Sequence, residues 1–236
     1  MTAPATIIMI VIRHLKKPGW GLLVLSMLLG FVMMFPQAMA NSLLHIDEET
    51  LKKAVEKCGS DAPERLIAWE ELVRLEQGKQ ELEILGKINL FFNKLAYVED
   101  VDLWGVKDYW ATPVEFLCRG AGDCEDYAIA KYFTLIALGI SEQKLKITYV
   151  KALQQNRSHM VLAYYSSPGD EPLILDNLID SIKPASQRAD LSPIFSFNGS
   201  GLWMAQQRGR EQIGSGIRIK KWDDLLKKMS GKRTKH

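Results

Sequence analysis

The sequence predicts an α+β fold, a helical lobe followed by an antiparallel sheet, and three observations carry that prediction. Apolar residues recur at helical spacing through three segments before residue 95. Farther on, KLKITYV at 144–150 and HMVLAYY at 159–165 alternate like strands across the turn QQNRS, and LILD at 173–176 returns after SSPGDEP. Between lobe and sheet, RGAGDCEDYAIAKYF at 119–133 sets one cysteine at the start of an amphipathic segment.

Each element follows in order. Arg13, His14, Lys16 and Lys17 precede an apolar run from Trp20 to Phe35 and the small-x-small triplet AMA at 38–40, the pattern of a signal peptide cleaved after Ala40. The run of ~16 residues, at ~1.5 Å each, falls short of a ~30 Å hydrocarbon core. Residues 41–236 then form a single domain, for which 47% hydrophobic and 25% charged residues suit an ordinary core. Removing 1–40 takes away three basic residues and no acid, so the formal +2 becomes −1. The basic balance therefore belongs to the targeting segment and gives no argument for nucleic-acid binding.

Helices are expected at 48–57, at 63–76 with Pro63 in the first turn and Leu66, Trp69, Leu72 and Val73 inward, and at 79–95 with Leu82, Leu85, Ile88, Phe91, Phe92 and Leu95 inward. From 96 to 117 periodicity fails and a long ordered loop is expected. The helix after Cys124 has Asp123 as N-cap, an Ile129, Phe133, Ile136 stripe, and Gly139 at the left-handed stop. Beyond Ile179 the chain reads as irregular, with a Gly- and Ser-containing stretch at 198–201, until IRIKKWDDLLKKM and a frayed GKRTKH end. No P-loop, dinucleotide fingerprint, zinc-spaced Cys/His set or basic aromatic stripe occurs, which argues against NTP hydrolysis, redox cofactors and nucleic acid.

Three cysteines, Cys58, Cys118 and Cys124, leave at least one thiol unpaired in an oxidising compartment. A Cys58–Cys118 bridge and two reduced buried cysteines are both open from sequence. His159 begins one predicted strand and Asp176 ends the next. In an antiparallel hairpin facing positions keep a constant index sum, and a turn near Gly169 puts these two on facing or adjacent pairs. A carboxylate there can hold an imidazole tautomer, which makes Cys124 a nucleophile with His159 as base and Asp176 as orienter.

With GDCEDYAIAKY followed by HMVLAYY and LILDN, and with Trp104-Gly105 and Trp110-Ala-Thr-Pro-x-Glu upstream, the chain resembles the bacterial transglutaminase-like cysteine proteinases, the LapG-type periplasmic proteases among them. The resemblance runs from about residue 63 to 225, the helices at 48–76 matching only in character. It implies a papain-like or transglutaminase-like fold with the nucleophile helix packed on the sheet, a triad at Cys124, His159 and Asp176, and calcium held by Asp123, Glu125 and Asp126. It also implies a periplasmic endopeptidase that cuts a large outer-membrane-retained adhesin near its N-terminus, releasing biofilm cells, and that is inhibited by an inner-membrane receptor for cyclic di-GMP.

The acids around Cys124 raise an electrostatic problem. A carboxylate ~7 Å from the sulfur disfavours the thiolate by roughly 2 kcal/mol at an effective dielectric near 20, whereas the helix macrodipole returns only ~0.3 to 1 kcal/mol. An imidazolium ~4 Å away offsets about 4 kcal/mol, leaving a near balance that a bound divalent cation would tip toward the thiolate. Calcium needs about 6 to 8 oxygens, so main chain, water or acids of the 99–108 loop (Glu99, Asp100, Asp102, Asp108) must contribute. On the residues alone, Asp123, Glu125 and Asp126 read equally as complements to a helix N-terminus. The Cys124 N–H is expected to meet the oxyanion, with Trp110 as a second donor or a cleft wall. Rival readings are a cell-wall peptide hydrolase, an acyltransferase, or a non-catalytic calcium-binding module on the same fold.

Overall fold

The computed structural model describes residues 46–204, 212–214 and 219–230. The predicted signal peptide and the frayed C-terminal end lie outside the described residues.

Helix α1 (Glu48–Cys58) is capped by Asp47, whose carboxylate accepts from the Thr50 N–H at 2.8 Å. Helix α2 (Ala62–Glu76) buries Leu66, Trp69 and Val73 as expected, and α3 (Glu81–Asn93) buries Leu85, Ile88 and Phe92. Leu82 departs from the expectation. It sits 65% exposed, because the buried stripe of α3 passes through Ile84 and Ile88 instead.

The expected loop over 96–117 contains more structure than its lost periodicity suggested. It holds the short strand β1 (Ala96–Tyr97), one turn of helix, α4 (Asp100–Leu103), and helix α5 (Pro113–Arg119). Thr112 starts α5 with a capping box: its hydroxyl accepts from the Glu115 N–H while Glu115 accepts from the Thr112 N–H. Cys58 and Cys118 are bridged, which ties the end of α1 to α5.

Helix α6 (Cys124–Ala137) lies between α3 and the sheet. It is enclosed nearly all round, with Ala128, Ile129, Ala130, Tyr132, Thr134 and Leu135 buried, so the single Ile129–Phe133–Ile136 stripe understated it. The helix ends as expected at Gly139, φ +90°, where the Gly139 and Ile140 N–H groups cap the Ile136 and Leu135 carbonyls.

Among the described residues the sheet has seven antiparallel strands in the order β6-β5-β4-β3-β7-β8-β9. Strands β3 (Leu145–Ala152), β4 (Arg157–Tyr164) and β5 (Leu173–Leu175) are the predicted ones. The segment beyond Ile179 is a correction: it supplies β6 (Lys183–Pro184), β7 (Leu191–Asn198), β8 (Gly201–Met204) and β9 (Gln212–Gly214). Strand β7 pairs centrally with β3, and the residues at 198–201 form the β7–β8 hairpin. Pro193 and a register shift beside Ile194 break the alternation that would have shown β7 in the sequence. A closing helix, α7 (Lys220–Met229), packs Trp222 against Phe197 and Tyr132.

Candidate active site

Cys124 is placed by a tight sequence of turns. Arg65 donates to the carbonyls of Leu117 and Cys118, both at 2.7 Å, and holds the end of α5. The chain leaves α5 into β2 (Ala121–Gly122), which pairs parallel to β1. A Cβ on Gly122 would meet the Phe116 ring at 2.8 Å, so a side chain there would push the strand away from α5. Asp123, extended, is the N-cap of α6, and Cys124 is its first residue.

On the sheet, β4 and β5 pair with a constant index sum of 337, set by Leu162 opposite Leu175. Asp176, one residue past β5, therefore continues opposite Val161, one same-face step from His159. Side-chain reach closes the gap: His159 Nε2 and Asp176 Oδ1 are hydrogen-bonded at 2.7 Å, and both residues are buried. Asp176 also accepts from the Leu178 N–H at 3.0 Å and, through Oδ2, from Arg188 Nη2 at 2.6 Å. Burial opposes the Asp176 charge, but His159, Leu178 and Arg188 outweigh it and hold the carboxyl down at about 2. An ionised carboxylate only accepts, so His159 Nε2 carries the proton. Nδ1, buried and without a protein partner, then presents a lone pair in the neutral ring.

Cys124 and His159 line one cleft of about 440 Å³, walled by Tyr97, Trp110, Tyr149, Phe195 and Phe197. Trp110 stacks on Phe197 at 5.7 Å between centroids, which makes its ring a wall. Lys228 of α7 donates to the Trp110 carbonyl at 2.5 Å and fixes that segment.

The thiol end of the cleft is acidic. The Cys124 thiol donates to Glu125 Oε2 at 3.1 Å. Burial, then Glu125 and Asp123, push it well above the ordinary thiol range, against a single favourable contact from the Met160 N–H. The predicted acids converge in overlapping sets: Asp123 and Glu125 with the thiol, Asp123 and Asp126 with Asp100, and Glu125 with Asp100 and Asp108, each offering oxygens within 4.8 Å of one another. Asp100, Asp123 and Glu125 each belong to two of these sets and so link them. Of the other loop acids, Glu99 pairs with Arg157 at 3.1 Å, and Asp102 belongs to none of these sets.

Asp100 is raised to about 6 and Asp123 to about 10, and Asp126 stands well above the carboxylate range. Burial is the leading cause in each, with neighbouring acids adding to it. Asp100 Oδ1 and Asp123 Oδ1 are buried without a partner. Asp100, Asp123 and Asp126, three buried carboxylates whose oxygens lie close together, fit a hard divalent cation such as calcium.

Sequence reasoning missed Arg188 and also the link from α6 to Asp176. Buried Lys131, lowered to about 7 by burial, donates to Asn89 and Asn93 at 2.8 and 2.7 Å, and Asn93 donates to the Asp176 carbonyl at 2.9 Å. The sequence signal for this link was a lysine in the otherwise apolar course of α6.

The helix-borne thiol, the strand-borne imidazole and their order along the chain match a defined class. Residues 53–191 fit the family model described as bacterial transglutaminase-like cysteine proteinase, more than half of the chain, and the protein belongs to that family. Among solved structures it is similar to Legionella pneumophila LapG at 43% identity, covering 77% of this chain and 95% of that one, with a TM-score of 0.67. The calcium-bound form of LapG matches at 43% identity and a TM-score of 0.67, covering 77% of this chain and 98% of that one. The EGTA-treated form matches at the same identity with a TM-score of 0.68, covering 77% and 96%. No curated protein matches the chain.

Proposed function

We propose that this protein is a calcium-dependent cysteine endopeptidase whose triad is Cys124, His159 and Asp176. The observation that carries the reading is the His159–Asp176 hydrogen bond, which leaves Nδ1 unpartnered in the cleft that holds the one free thiol. In the reaction, the Cys124 proton passes to His159 Nδ1 and the sulfur attacks the peptide carbonyl carbon. His159 returns the proton to the departing amine as the C–N bond breaks. Water, losing a proton to the same nitrogen, then hydrolyses the thioester and regenerates the thiol. The Cys124 N–H at the start of α6 is the nearest oxyanion donor by position.

Asp100, Asp123, Glu125 and Asp126 would hold the calcium ion. Its charge would offset the acids that oppose a thiolate at Cys124. The existence of calcium-bound and EGTA-treated LapG supports the choice of metal.

The substrate assignment rests on the family resemblance: a large adhesin retained in the outer membrane, cut near its N-terminus in the periplasm under an inner-membrane receptor for cyclic di-GMP. The experiment incubates the protein with outer-membrane fractions, with calcium or with EGTA, and sequences the new N-terminus of released protein. Release with calcium, its loss in EGTA and its absence in Cys124→Ala are expected. Undiminished release in thorough chelator removes the calcium assignment, and release by Cys124→Ala moves the nucleophile elsewhere.

A further inference from the structure

Arg188 enters the site from behind. It lies just before β7, on the opposite side of Asp176 from the imidazole. Its Nη2 donates to Asp176 Oδ2 at 2.6 Å and to Asp190 Oδ2 at 2.8 Å, and its Nε donates to Asp190 Oδ1 at 3.0 Å. The side chain is 3% exposed and does not border the cleft that holds Cys124. Asp190, with 28% of its side chain exposed, acts as the outer anchor of the guanidinium.

This geometry decides how Asp176 is used. A carboxylate with one oxygen free can rotate, and its histidine partner can then flip and exchange the nitrogen it offers. Here Oδ2 is occupied by a planar, charge-assisted donor, which leaves Oδ1 to face His159 Nε2 and the Leu178 N–H. Asn93, donating to the Asp176 carbonyl, fixes the backbone of the same residue. With the carboxylate locked, the ring has a single way to satisfy it, and that way leaves Nδ1 unprotonated.

We propose that Arg188 is a positioning residue for this centre: by holding Asp176 Oδ2 it enforces the His159 tautomer that offers Nδ1 to Cys124. The proposal rests on the protease reading above, since it assigns a role to Arg188 through the pair His159 and Cys124.

The test needs no substrate. Iodoacetamide alkylates Cys124, the only free cysteine in the chain, and the ¹⁵N shifts of His159 report which ring nitrogen carries the proton. In the calcium-supplemented protein, Cys124 should react faster than free cysteine near neutral pH, and in the Cys124→Ala form at alkaline pH, where no thiol proton can reach the ring, His159 should show one tautomer with hydrogen on Nε2. Arg188→Gln should slow alkylation roughly 10- to 100-fold, by analogy with the loss of a hydrogen-bonded partner behind a metal-ligating side chain, and should give mixed tautomers. Arg188→Lys, which keeps one charged N–H for Asp176, should recover most of the rate and the single tautomer even where the glutamine variant melts early.

A parent protein no more reactive than free cysteine overturns the protease reading itself. A reactive parent whose Arg188→Gln form keeps both rate and tautomer overturns only the positioning role. So does an Arg188→Lys form that folds yet recovers neither.

Discussion

The two halves of the active centre differ in how their charge is balanced. On the sheet side, Asp176 is met by His159, Leu178 and Arg188, and Arg188 is shared with Asp190, so the buried Asp176 carboxylate is answered by the chain itself. On the helix side, Asp100, Asp123 and Asp126 crowd together with two buried carboxylate oxygens unanswered, and their proton affinities rise instead of falling. The opposite shifts of Asp176 and Asp123, both buried aspartates, show that burial alone does not decide the outcome. Available donors do. If the acids of the helix half hold the proposed calcium ion while the sheet half depends on protein donors, the response to substitution and chelation should divide along that line.

The largest effect should come from breaking the sheet half. Asp176→Asn keeps the shape but removes the obligate acceptor, so the ring no longer needs to place its proton on Nε2. Turnover is expected to fall on the order of 10³- to 10⁴-fold, as for a triad carboxylate changed to its amide, with no recovery at high calcium. Proteolysis assays across a calcium titration check both parts, and a loss that calcium repairs would contradict the division.

On the helix side, Asp100→Asn should leave maximal turnover close to that of the parent while raising the calcium needed for half activity. A shift of roughly 10- to 100-fold is expected, read from isothermal titration and from activity against free calcium. An unchanged calcium requirement would detach Asp100 from the metal.

The smallest effect is on stability. Asp100 and Asp123 have folded-state proton affinities above the ordinary 3.8, so the calcium-free fold binds more protons than the unfolded chain. Its stability must then fall as pH rises from about 4 through about 6 for Asp100, and further toward about 10 for Asp123. In EGTA the melting temperature should drop by roughly 10 to 20 °C between pH 5 and pH 8, and saturating calcium should flatten or reverse that slope. A calcium-free melt that rises over this range would show the acids to be balanced in some other way.

Much of the centre was legible because it rests on short-range pattern. The turn at Gly169 fixes the β4–β5 ladder, and the adjacent-pair placement expected from it is the one observed, so the meeting of His159 with Asp176 was readable from two strands. Cys124 at the head of α6 followed from the Asp123 cap and the Gly139 stop in the same way. What stayed hidden depends on contacts distant in sequence. Asp100 reaches the cluster through a one-turn helix held by the Tyr109 N–H on its carboxylate, with no periodicity to mark it. Arg188 precedes a strand whose proline and bulge disguise it, and so the walls supplied by Phe195 and Phe197 went unread with it. Thr112-Pro-Val-Glu, by contrast, was a readable capping signal inside the segment taken for loop.

The bridge between Cys58 and Cys118 sets a condition on where the molecule can work. It closes a separation of 60 residues and anchors α5 a few residues ahead of the nucleophile, beside the carbonyls that Arg65 grips. A loop of that length restrains the unfolded chain by about 4 kcal/mol. The same molecule therefore needs one sulfur pair oxidised and a third sulfur reduced at the same moment. Strong reductants, added by habit to keep a thiol enzyme awake, would loosen the clamp beside the residue they protect.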